Sequence, residues 1–212
     1  MAGSYDFEEQ ERIAELKAWW EDNRMFVFGA VAAAIIAYGG FQGWRFWEER
    51  QAEEAAALHK PLSEAAQSRD AGKVAATAEP LIKQHPDSFY ASDAALVAAK
   101  AAFEAGKLED ARKHLEWVMS QGADAHRGVA RMRLAAVLLE MKKYDEALKV
   151  LDGNSDPAFT ALAADQRGDV MLAQGRLDEA RAAYKLAIEK ADPRNPVRNL
   201  AETKLNALGG AQ

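Results

Sequence analysis

EAGKLEDARKHL, residues Glu104–Leu115, returns as EMKKYDEALKVL at Glu140–Leu151 and as AQGRLDEARAAY at Ala173–Tyr184. Each copy has a small or polar turn, an apolar residue, an acidic pair, then Ala and a large apolar residue four places later. Ala111, Ala147 and Ala180 lie 36 and 33 residues apart, and Ala99, Ala135 and Gly168 lie 12 residues before them. Two helices that cross closely need a small side chain from each at the contact, with a large one beside it. Leu115, Leu151 and Tyr184 supply the large one. The pattern therefore predicts a series of helix–turn–helix pairs.

A period near 34 residues resembles that of tetratricopeptide repeats, and the resemblance covers residues 90–193 in three units. Lys142 stands where the other two copies have Gly106 and Gly175, and the aromatic residue common early in the first helix is missing. A degenerate fourth unit is expected upstream on Ala65, Thr77, Leu81 and Pro86, with Thr77 in the place of the usual Ala. Past Pro193 and Pro196, Val197–Leu208 reads as a capping helix closed by Gly209 and Gly210. Stacked repeats leave a groove lined by the first helix of each pair. By periodicity its candidate residues are Lys100, Phe103, Met132, Leu139, Asp165, Asp169 and Leu172. Phe103, Leu139 and Leu172 fit better as core between repeats, because apolar residues at helical spacing usually are. Asp165 and Asp169 share a helical face, which by itself requires no chemistry.

Further upstream, the 20 residues Met25–Trp44 (MFVFGAVAAAIIAYGGFQGW) carry no charge. As a helix they span roughly 30 Å, the thickness of a bilayer's hydrocarbon core, and they show no polar stripe. Trp19 and Trp20 precede the segment, while Trp44, Phe46 and Trp47 close it, as interfacial rings do. Arg24 and Arg45 can snorkel to headgroups. A cleaved signal peptide ending near Ala37-Tyr38-Gly39 is the rival reading. The leader, with seven acidic residues against three basic, and the length of the apolar stretch favour a retained anchor. Basic residues tie across it, with Arg12, Lys17 and Arg24 against Arg45, Arg50 and Lys60, so charge leaves the orientation open. Gly29, Ala33, Ala37 and Gly40 share a helical face that would admit a second helix closely; Gly and Ala are also common filler in such spans. The expected organisation is all-α: acidic tail 1–24, transmembrane helix 25–44, connecting helix 45–72 with Pro61 inside it, and repeat domain 73–212.

Composition narrows the function. The 212 residues hold 27 Lys+Arg, 33 Asp+Glu, four His and no Cys, a formal charge of −6. Nucleic-acid binding, which needs a cationic footprint, is disfavoured. Without cysteine there is no thiolate metal site, disulfide or cysteine nucleophile. His59, His85, His114 and His126 form no metal-binding motif, and Asp110 with His114 makes only two potential ligands. No phosphate-cradling glycine loop or nucleophile elbow occurs. The acidic pairs Glu109-Asp110, Asp145-Glu146 and Asp178-Glu179 open the second helices, where they complement the helix dipole. The expectation is a protein with no enzymatic activity, cofactor or metal. Ile13, Leu16 and Trp20 in the acidic tail could also form an amphipathic helix for a soluble partner.

Leu16-Lys17-Ala18-Trp19-Trp20 and Gly43-Trp44-Arg45-Phe46-Trp47, flanking a single span that leads through an alanine-rich helix into repeats, make a specific arrangement. The whole chain resembles the YfgM family of bacterial inner-membrane proteins, ancillary subunits of the SecYEG translocon. The resemblance implies a cytoplasmic N-terminus and periplasmic repeats. It also implies association with the translocon and with a membrane-anchored, parvulin-like periplasmic chaperone. The expectation for the groove is that it binds such a chaperone or an emerging secreted chain by apolar contact and a few charges. The repeats alone would equally suit an anchored scaffold for envelope or division assembly.

Overall fold

The computed structural model describes residues 3–209, which form helices α1 (Gly3–Gln67), α2 (Ala71–Gln84), α3 (Phe89–Glu104), α4 (Leu108–Gln121), α5 (Asp124–Glu140), α6 (Tyr144–Asp152), α7 (Thr160–Ala173), α8 (Leu177–Lys190) and α9 (Pro196–Ala207), with a short 3-10 turn at Pro157–Phe159. No strand occurs among the described residues. The chain falls into two compact units that divide between Gln51 and Ala52.

The first unit is helical without a break at residue 24. α1 is the one helix among the described residues long and apolar enough to cross a membrane, and none of its apolar window is buried. Phe26, Ile36, Phe41 and Trp44 are all exposed. A soluble protein rarely leaves so large a contiguous apolar surface uncovered.

In the second unit, consecutive helices pair as the periodicity predicts, and a fourth pair is present. The segment expected to be a connector ends at Gln67, and its last turns act as a first helix. Ala55, Leu62 and Ala65 share a core cluster with Val74, Ala78 and Leu81 of α2 and with Ala94 and Ala98 of α3. The turn inside each pair has one shape. Arg69, Gly106, Lys142 and Gly175 all take positive φ, at 56°, 72°, 60° and 76°. After the last three, the next backbone N–H reaches back to Ala102, Leu138 or Met171 at 2.8–2.9 Å. This is the Schellman closure, which satisfies carbonyls left over at the end of the first helix.

These turns fix the register of the fourth pair and correct the expected one. Arg69 lies 37 residues before Gly106, so Val74 matches Ala111 and Leu62 matches Ala99. Thr77 is not the contact residue: it is half-buried, and its hydroxyl donates to the Lys73 carbonyl at 2.8 Å. The four-residue connection His85–Ser88 lengthens this unit, so a constant period misplaces it. Volume is redistributed as well. The other pairs use a small contact (Ala99 with Ala111, Ala135 with Ala147, Gly168 with Ala180) followed by Leu115, Leu151 or Tyr184. Here Leu62 and Val74 are followed by Ala78, and all three are buried.

A second regularity joins successive pairs. His59, Leu96, Met132 and Asp165 each precede the contact residue of their first helix by three positions, and each takes a polar contact from the following unit. His59 Nε2 lies 2.8 Å from Asp93 Oδ2. Arg133 donates to the Leu96 carbonyl at 3.4 Å, and Gln166 donates to that of Met132 at 3.1 Å. Lys204 of α9 donates to the Asp165 carboxylate at 2.8 Å. On the other face, Lys143 with Glu109 and Arg112 with Glu146 link the second helices at 3.3 and 3.1 Å.

Candidate interaction surface

The first helices α3, α5 and α7 set out a repeated pair of positions, one and four residues after the contact residue. They hold Lys100 and Phe103, Ala136 and Leu139, and Asp169 and Leu172. Phe103 is 40% exposed and Leu172 37%, while Leu139 is half-buried against the core. Between α3 and α5 a cavity of about 380 Å³ opens, lined by Ala99, Lys100, Phe103, Glu104, Leu115, Arg133, Ala136 and Val137. Its walls are mostly apolar. The Lys100 ammonium stands 3.8 Å from Glu104, and the exposed Arg133 guanidinium has no carboxylate partner among the described residues.

Two of the groove expectations are corrected. Met132 is 3% exposed and Asp165 1%, so both belong to the core. Their position, three residues before the contact residue, is the turn that the next unit covers. Asp169 is engaged instead of free: it accepts from Tyr184 Oη at 2.9 Å and from Lys204 at 2.8 Å. Burial and the adjacent Asp169 hold the Tyr184 phenol above its ordinary range. Desolvation raises the Asp165 carboxyl, and Lys204 opposes that shift. Lys100, Phe103, Leu139 and Leu172 are the predicted residues that remain at the surface. Arg133 and Ala136 join them unpredicted. Superposing the repeats on Ala99 and Ala135 would have placed Ala136 beside Lys100, although nothing in that spacing marks Arg133 as unpaired.

On α1, Gly29, Ala33, Ala37 and Gly40 are exposed on one face, and a Cβ added at Gly29 or Gly40 would meet nothing within 4 Å. No group of three acidic or histidine side chains that could hold a metal occurs among the described residues. Burial lowers the His114 pKa, against the pull of Asp110.

A family model described as a tetratricopeptide repeat-like domain matches residues 17–210, taking in both the apolar helix and the repeats. A protein of Neisseria gonorrhoeae named ancillary SecYEG translocon subunit is 33% identical, covering 95% of this chain and 97% of its own length. The chain belongs to the YfgM family. Relatives with the same name from Haemophilus influenzae and Escherichia coli are 29% and 26% identical, over 97% and 94% of this chain and 100% and 96% of theirs. Among solved structures, a MamA RS-1 ArsTM double mutant has a TM-score of 0.54 at 19% identity, covering 73% of this chain and 93% of that one. That likeness concerns the fold alone. The similarity to the YfgM family runs through the apolar helix and the repeats together.

Proposed function

We propose that the chain is a membrane-anchored, non-enzymatic adaptor of the SecYEG translocon, with residues 25–44 crossing the inner membrane and the repeats in the periplasm. The observation that carries this reading is the 33% identity over 95% of the chain to a relative named ancillary SecYEG translocon subunit. The exposed apolar length of α1 suits an anchor. Gly29, Ala33, Ala37 and Gly40 offer a face on which another membrane helix can pack closely. The groove of α3, α5 and α7 is the surface for a membrane-anchored, parvulin-like chaperone or an emerging chain, held by apolar contact and a few charges. The test is co-purification. The tagged chain, extracted from its own membranes in mild detergent, is expected to retain SecY and SecE; recovery no better than with an unrelated single-span protein would overturn the proposal.

A further inference from the structure

The cavity between α3 and α5 is open and mostly apolar, and its charged lining residues are Arg133 and the pair Lys100 and Glu104, 3.8 Å apart. Ala99, Ala136 and Val137 line it, the buried Leu115 stands behind them, and Phe103 is its exposed aromatic wall. About 380 Å³ lies at the small end of the range for ligand pockets, enough for one large side chain. Arg133 lies at its edge. The single hydrogen bond of that guanidinium, 3.4 Å to the Leu96 carbonyl, leaves most of its five N–H donors unused. Its tie to the preceding unit uses one donor, and among the described residues the others stand free of any carboxylate, beside an apolar opening in a chain with a net charge of −6.

The next gap along the groove has a different character. At the positions of Arg133 and Lys100 relative to the contact residue, α7 has Gln166 and Asp169. Gln166 is tied to the Met132 carbonyl, and Asp169 to Lys204 and Tyr184. At these positions the cation without a carboxylate partner is thus Arg133, in the α3–α5 gap, where it complements an acid. A guanidinium binds a carboxylate through two parallel hydrogen bonds, which fixes direction as well as charge.

We infer that the α3–α5 pocket binds a partner segment that places one large apolar side chain between Phe103 and Val137 and sets an adjacent Asp or Glu on Arg133. This rests on the reading of the repeats as an adaptor and names the chemistry its groove selects. Basic or purely apolar segments lose the Arg133 contact.

Two fluorescein-labelled peptides, GSGDFDGSG and its charge-reversed twin GSGKFKGSG, test this by polarisation against the full chain in phosphatidylcholine nanodiscs. The acidic peptide is expected to bind with a Kd below about 1 mM, and the basic one at least about tenfold more weakly. Arg133→Glu should invert the preference, which a merely structural loss would not do. Ala136→Trp should fill the cavity and abolish binding of both peptides, with its thermal midpoint checked against the parent. Failure of the acidic peptide to bind, or an unchanged preference in Arg133→Glu, overturns the inference. If both peptides bind equally and Ala136→Trp abolishes both, the acid selection falls while the groove reading survives. Co-purification with SecY is read separately, so failure of the adaptor reading is distinguishable from failure of the pocket's selectivity.

Discussion

The Lys204 ammonium lies 2.8 Å from the Asp165 carboxylate, at a position that the two preceding repeats fill with Leu96 and Met132. An acid in an apolar layer specifies what may cover it. α9 buries Ala201 and Leu205, Leu208 packs beside them, and several further ties to the third pair are polar. Arg181 donates twice to the Leu208 carbonyl, at 3.1 and 2.7 Å, and Arg198 donates to that of Ile188 at 3.1 Å. A further apolar repeat would strand Asp165, so the residue favours a cationic cap as the end of the stack.

Lys204→Met leaves the buried Asp165 without its cation. It is expected to destabilise the repeats by about 3 kcal/mol, the low end for breaking a buried pair, since Lys204 keeps some exposure. The pH dependence has a definite sign. Desolvation raises the folded-state pKa of Asp165, so the folded form takes up its proton first as pH falls from neutrality. Ionised Asp165 therefore weakens the fold above its unfolded pKa, and protonation relieves that cost. Removing Lys204 raises the folded pKa further, so the gap between variant and parent should narrow as the pH is lowered. Urea midpoints across pH check it; a gap that widens on acidification contradicts it.

Gly168 and Tyr184 test the contact logic of the repeats. A Cβ at Gly168 would stand 2.4 Å from the Tyr184 ring, which is fully buried. Gly168→Ala alone should cost about 3 kcal/mol through overpacking, and Tyr184→Leu alone about 2–3 kcal/mol through the cavity it leaves. Together they recreate the Ala-with-Leu combination of Ala99 with Leu115 and Ala135 with Leu151. The double variant should recover much of the loss, which a double-mutant cycle on thermal midpoints would measure.

Lys142 has φ +60° where its counterparts are Gly106 and Gly175. An L side chain in the left-handed region costs about 1–2 kcal/mol, partly offset by the unfolded-state entropy that glycine adds. Lys142→Gly should stabilise the protein by about 0.5–1 kcal/mol, and Gly175→Ala should destabilise it by a similar amount. Thermal midpoints of the full chain decide both signs.

Ala33→Leu places a branched side chain in the middle of the small-residue face of α1. It is expected to reduce SecY recovery severalfold while leaving the repeat domain's thermal midpoint unchanged. Undiminished recovery would remove Gly29, Ala33, Ala37 and Gly40 from the interface.

Much of the fold is legible in the sequence because repeat contacts are encoded at fixed spacing. Ala99, Ala111, Ala135, Ala147, Gly168 and Ala180 mark both partners of three helix pairs by their spacing alone. What spacing does not carry is which neighbour covers a given face. Met132 and Phe103 look alike as apolar residues on first helices, yet the next unit covers one and leaves the other open. Asp165 and Lys204 stand 39 residues apart on separate helices, so no local pattern joins them. A constant period misplaces the fourth pair because His85–Ser88 stretches it. The apolar helix is legible for a simpler reason: a charge-free run of 20 residues depends on no neighbour.

The absence of native cysteine permits a direct test of the central claim, that the repeats act on the export side of the membrane. Ser155 is exposed in the loop between α6 and the Pro157–Phe159 turn, so Ser155→Cys supplies one accessible thiol. Intact spheroplasts treated with a membrane-impermeant maleimide should label this variant without lysis. Labelling only after lysis would put the repeats in the cytoplasm and contradict an adaptor for exported chains.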